Sequence, residues 1–197
     1  MAEPLSLGFD TSAAHCAAAL LQGDRLLGLR HEDMARGQAE RLMPLLEDLL
    51  AGAGVTWHDL AVIGCGTGPG NFTGIRIAVA AARGLSLSLA IPAVGVSLTE
   101  AAACDLPRPC RIVLPARDGA VLWQDFTPGV DSQPRQDPPE ALPPGPPVRA
   151  PVLPLPHAIA RIALDRRALP DLPRPVPIYL RPADAAPARD RGPVMLS

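Results

Sequence analysis

The sequence predicts an α/β protein whose first half is regular and whose second half is reduced. Apolar periodicity before residue 104 places the elements in the order β-β-β-α-β-α-β-α. Glycine and proline divide the chain in the same way. Of the 17 glycines, 13 precede residue 104, whereas only four of the 25 prolines do (Pro4, Pro44, Pro69, Pro92). Eleven prolines crowd residues 128–156, a density that no helix interior or central strand tolerates.

Residues 5–10 alternate apolar with small or polar side chains and end in the turn signal Asp10-Thr11-Ser12. The apolar runs 16–21 and 25–30 flank Gln22-Gly23-Asp24, which reads as a hairpin connection. Three consecutive antiparallel strands are therefore expected. Next, Ala39, Leu42, Met43, Leu46, Leu49, Leu50 and Ala53 fall at helical spacing, and Gly52 and Gly54 supply the stop. Leu60 to Cys65 suits a buried strand. It feeds a glycine-dense loop, residues 66–74, with Thr73 as the expected cap of a second helix reaching Leu89. Ala93 to Val96 is a further buried strand, and Ser97 with Glu100 forms a capping-box signature for a third helix through Cys104. Beyond it, residues 111–114, 120–127 and 176–180 read as strands and 157–169 as a helix.

Composition narrows the chemistry. All 18 basic side chains are arginine, so a P-loop, a Schiff-base lysine and a lysine general base are excluded. A net charge of -2 argues against gripping a phosphate backbone by bulk electrostatics. Aromatics make up 3% of the chain, too few for a base-stacking platform. The apolar stretch 75–96 is interrupted by Arg76, Arg83 and Pro92 and is not expected to span a membrane. The opening residues carry Glu3 and Asp10 in place of a basic leader, and no C-x-x-C pair is present, so reduced thiols in the cytoplasm are expected.

No catalytic constellation emerges. The histidines His15, His31, His58 and His157 are scattered without metal-ligand spacing. Gly64, Gly66, Gly68, Gly70 and Gly74 fail the G-x-G-x-x-G pattern because Asn71 stands at the last glycine position. Such a loop before a helix either binds an anion or lets backbone pack on backbone, and the residues alone leave both open. On the second helix, Ile77, Ala81, Gly84 and Ser88 form a ridge, and Ala80, Gly84 and Ser88 are spaced four apart. A ridge of small residues permits close approach of another helix, within the chain or from a partner.

Four strings resemble the TsaB (YeaZ) family in order and spacing. They are Leu-Gly-Phe-Asp-Thr-Ser at 7–12, Glu-Arg-Leu-Met-Pro at 40–44, the Gly66-to-Arg76 stretch with Gly68-Pro69-Gly70 and Phe72-Thr73-Gly74, and Ile-Pro-Ala-Val-Gly-Val-Ser at 91–97. Pro177-Ile-Tyr-Leu-Arg181 resembles the family's P-x-Y-L-R. The resemblance implies an actin-like, ribonuclease-H-like fold of two lobes, here residues 1–103 and a shortened lobe at 104–197. It also implies a non-catalytic subunit of the machinery that makes threonylcarbamoyladenosine in tRNA. Such a subunit pairs with the TsaD transferase, is joined by the TsaE ATPase, meets tRNA through the complex and leaves ATP and metal to its partners. The implied interface comprises Leu42, Met43, Leu46, Leu49, Leu50, Ile77, Ala81, Gly84 and Ser88, which a homodimer could also use. An ATP-binding enzyme of the same fold, or a peptidase, is the alternative. Gln38 stands where many members have histidine, and Leu114-Pro-Ala-Arg117 replaces an I-D-A-R string. The acid lost from the second string counts against nucleotide binding in this chain's own cleft.

Overall fold

The computed structural model describes residues 3–180. Two five-stranded sheets form, one from each half of the chain. In the first, β1 (Leu5–Asp10), β2 (His15–Gln22) and β3 (Arg25–Asp33) are an antiparallel meander, and β4 (Leu60–Gly66) and β5 (Ala93–Val96) add in parallel. The sheet order is β3-β2-β1-β4-β5, the ribonuclease-H-like order of the actin-like fold.

Helices cover both faces of this sheet. On one lie α1 (Gln38–Gly52) and α2 (Phe72–Leu89), whose Leu42, Leu45, Leu46, Leu49, Ile75, Ala78 and Ala82 meet Leu7, Phe9, Ala18, Leu20 and Ile63. On the other lies α4 (Leu155–Arg166), where Ala158, Ile159 and Ala163 pack on Val62, Val94 and Val96. A short helix, α3 (Leu98–Ala102), follows β5, and Ser97 caps it by accepting from the Glu100 amide at 3.1 Å. Thus α4, from the second half of the sequence, completes the first sheet. Two glycines make that possible: a Cβ at Gly8 would collide with the Ala160 backbone, and one at Gly64 with Ile159.

The second sheet is built on β6 (Cys110–Pro115) and β7 (Val121–Thr127), with only two- or three-residue strands at its margins, namely β8 (Val130–Asp131), β9 (Arg135–Asp137) and β10 (Val148–Arg149). Prolines hold these edges short, as expected. The loop 138–147 is fastened by Arg111, whose side chain is 5% exposed. Its guanidinium grips both oxygens of Asp125 at 2.5 and 2.7 Å, donates to the Pro143 carbonyl at 2.6 Å and lies 4.6 Å from the Trp123 ring centre.

Three local expectations are corrected. The cap of α2 is Asn71, not Thr73: its Oδ1 accepts from the amides of Thr73 and Gly74 at 3.0 and 3.1 Å. Residues 176–180 are not a strand, because Pro175 and Pro177 lack amide donors and only Ile178 pairs, with the Thr67 carbonyl at 2.8 Å. Helix α4 begins at Leu155, two residues before the periodicity suggests, with Pro156 in its first turn. Among the described residues, α2 alone is long and apolar enough to cross a membrane by length and composition.

Candidate functional site: two interlocked loops and an uncovered ridge

The turn after β1 and the glycine loop before α2 are built into each other. Asp10 is fully buried; its Oδ2 accepts from the Ser12 amide at 3.0 Å and the Ser12 hydroxyl at 2.8 Å, and lies 2.7 Å from His15 Nε2. Thr11 Oγ1 donates to the Gly74 carbonyl at 2.7 Å, and the Asn71 amide donates to the Ser12 carbonyl at 2.6 Å. Any side chain at Gly70 would strike the Ser12 carbonyl, one at Gly74 the Thr11 carbonyl, and one at Gly66 the Asp10 carboxylate. Of the two roles left open for this loop, close backbone packing is the one these glycines perform. The helix amides at Thr73 and Gly74 are already taken by Asn71, so no free N-terminal donor pair faces outward there.

Beside these loops runs a cleft of about 610 Å³ between the lobes, bounded by Ser12, Gly70 and Phe72 on one side and Leu114, Arg117 and Leu122 on the other. No carboxylate, imidazole or thiol lines it. The position where an I-D-A-R string would offer an aspartate holds Pro115, so the reduced second lobe brings no acid to the cleft. Metal-ligand clusters are likewise absent among the described residues. Three of the four free cysteines are buried, and burial pushes the Cys65 thiol up to about 12 and the Cys16 thiol up to about 11. Neither is available as a thiolate nucleophile.

His15 is the residue that reading the sequence left unplaced. The β1–β2 hairpin returns it to Asp10, and its ring lies 5.1 Å from that of His31. The spacing of a strand end and the next strand's first residue was the available signal. His31 itself pairs with Asp33 at an exposed strand end, and Glu32 is held by Arg41 at 2.7 Å, so no cation site forms there.

The expected interface residues divide. Leu42, Leu46, Leu49 and Leu50 are not on the surface; they are at most 3% exposed and belong to this chain's own core. Their stripe covers β1 and β2 and leaves nothing for a partner. Met43, Ile77 and Ala81 are half-buried against that core, whereas Gly84 and Ser88 are exposed. With Ala80 and Leu87, which is 86% exposed, they form an uncovered ridge along α2. The family-motif side chains Phe72 and Arg76 meet Tyr179 from the far end of the chain: the two rings are 4.9 Å apart, and Arg76 Nε donates to the Tyr179 hydroxyl at 2.9 Å. Arg181, the last residue of that second motif, lies outside the described residues.

Comparison with known proteins agrees with this architecture. The family model for TsaD, described as tRNA N6-adenosine threonylcarbamoyltransferase, matches residues 24–127. The tRNA threonylcarbamoyladenosine biosynthesis protein TsaB of Escherichia coli is 33% identical over 125 residues, 61% of this chain and 54% of that protein. The chain therefore matches about half the length of that relative. An uncharacterized protein of Mycobacterium tuberculosis is 31% identical over 92% of this chain and 93% of its own length. YeaZ from Pseudomonas aeruginosa superposes with a TM-score of 0.66 at 26% identity, over 90% of this chain and all of that one. A further Pseudomonas aeruginosa structure, described as similar to peptidase YEAZ, gives a TM-score of 0.72 at 27% identity, with the same coverage. The chain belongs to the family this model describes and, within it, to the TsaB (YeaZ) proteins.

Proposed function

We propose that this chain works in the biosynthesis of threonylcarbamoyladenosine in tRNA as a non-catalytic scaffold that pairs with a TsaD-type transferase, with a TsaE-type ATPase joining the pair. The name carried by the Escherichia coli relative supports the pathway. The observation that favours a scaffold is the state of the two motif loops. Thr11 bonds to Gly74 and Asn71 to Ser12 across the two loops, and the adjoining cleft offers no carboxylate, imidazole or thiol. A catalyst needs such groups within reach of a reacting atom. A scaffold needs a stable surface, and interlocked loops at the root of α2 provide one.

The partner surface in this reading is the α2 ridge of Ala80, Gly84, Leu87 and Ser88, with Ile77, Ala81 and Met43 at its margin. Small residues there let a facing helix approach closely. A second copy of the chain could use the same ridge in the absence of TsaD. Contact with tRNA then falls to the assembled complex. The peptidase reading has no support at Ser12 and His15. Ser12 and His15 both point to the same oxygen of Asp10, so His15 is not placed to take the Ser12 proton.

The test is reconstitution. TsaD and TsaE together should transfer threonylcarbamoyl to tRNA poorly, and this chain should restore the activity while showing none alone. Equal transfer with and without it would refute the scaffold reading.

A further inference from the structure

Helix α2 carries two charged residues, Arg76 and Arg83, seven positions apart and hence on one flank of the helix. Both are engaged by the same stretch of chain, residues 173–180. Arg83 Nε donates to the Pro175 carbonyl at 2.8 Å, and Arg76 Nε donates to the Tyr179 hydroxyl at 2.9 Å. Arg76 also lies 3.7 Å from the centre of the Phe72 ring, against which Tyr179 packs. The spans match: seven helical residues rise about 10 Å, and four extended ones cover about 13 Å. The stretch therefore runs antiparallel to α2 and beside the ridge.

This strap has no ladder of its own. Its main-chain amides are tied at one point, from Ile178 to the carbonyl of Thr67 just past the end of β4, at 2.8 Å. Pro175 is buried near Gly95, whereas Val176 and Tyr179 remain 57% and 42% exposed. Ile178 borders both the interlobe cleft and a second cavity of about 470 Å³ behind it. Segments held by few bonds are the ones that open locally, at free energies far below that of global unfolding.

We infer that residues 173–180 form a releasable strap that positions the α2 surface, with Arg83 and Arg76 as its two fastenings. Docked, the strap draws both guanidinium groups to the flank and leaves the ridge of Ala80, Gly84 and Ser88 smooth and uncharged. Released, it frees two long cations to sweep the ridge and obstruct a facing helix. Arg76, Arg83 and Tyr179 are thus positioning residues for partner binding. This inference rests on the scaffold reading above.

Hydrogen exchange at the Ile178 amide, compared with core amides such as Ile63, reports the strap alone. Titration with TsaD reports the surface. In Tyr179→Ala, which frees Arg76 and keeps both cations, Ile178 is expected to exchange about tenfold faster with Ile63 unchanged, and TsaD affinity to fall about tenfold. Arg83→Ala speeds Ile178 exchange to a similar degree but removes one of the two cations, so its loss of TsaD affinity is smaller, and Arg83→Lys, which can still donate to the Pro175 carbonyl, leaves both readouts as in the wild type. Unchanged Ile178 exchange in both Arg83→Ala and Tyr179→Ala would overturn the strap. Faster exchange with TsaD affinity intact would overturn its role in positioning the surface. A wild-type chain that does not bind TsaD would instead remove the scaffold reading, and this inference with it.

Discussion

Thr11 and Gly74 are 63 residues apart in sequence and joined by one hydrogen bond, from the Thr11 hydroxyl to the Gly74 carbonyl at 2.7 Å. Both partners are buried, and the same glycine leaves no room for a side chain above the Thr11 carbonyl. Thr11→Val, which keeps the shape and removes the donor, should lower stability by about 1 kcal/mol. Gly74→Ala should lower it by more, since backbone must shift at the start of α2. Urea unfolding of the two variants checks the order.

Gly84 presents the opposite case. A Cβ there meets nothing within 4 Å. Gly84→Ala should therefore raise stability by about 0.8 kcal/mol, from helix propensity alone. Gly84→Glu should fold normally yet lose association with TsaD, because a charge would be buried at the ridge. Thermal melts and co-elution separate the two effects; normal co-elution of Gly84→Glu would place the interface elsewhere.

The second lobe depends on one guanidinium. Arg111→Ala removes both bonds to Asp125 and the tie to the 138–147 loop, and should cost about 3 kcal/mol. Protease cleavage within 138–147 should accelerate before the first lobe is attacked. Uniform susceptibility along the chain would contradict this.

Acid should act on α4 first. Burial lowers the His157 pKa from its ordinary 6.5, and the nearby Arg161 adds to the shift. Because the folded-state value lies below the unfolded one, the unfolded chain binds the proton more tightly. Stability is fully present above pH 6.5 and is lost as the pH falls through the folded-state value. His157→Gln should flatten that part of the profile. At lower pH the half-buried Glu32–Arg41 pair adds a small, salt-sensitive loss, since its hydrogen bonds to Arg41 hold Glu32 below 4.5.

Strand and helix periods revealed the elements of the first lobe, because each buries one regular face. They did not reveal what covers that face. The Leu42–Leu46–Leu49 stripe reads equally as core or interface, and only the position of β1 and β2 decides. Cap identity was a choice between polar residues two apart, settled by the direction in which the chain enters α2. The Asp10–His15 contact needed the hairpin register, and the strap needed recognition that prolines at 175 and 177 forbid a ladder. Pairings across 63 or 103 residues, such as Thr11 with Gly74 or Arg76 with Tyr179, leave no periodic trace.

The seat of α4 on Gly8 and Gly64 bears on how the protein is made. A ribosome releases β1 through β5 long before it releases residues 155–166. Until then Val62, Val94 and Val96 face solvent, and the nascent sheet is a half-finished sandwich with one sticky side. Folding of the first sheet is thereby deferred until residues 155–166 have emerged, and chains stalled before that point are expected to be captured by chaperones or to aggregate.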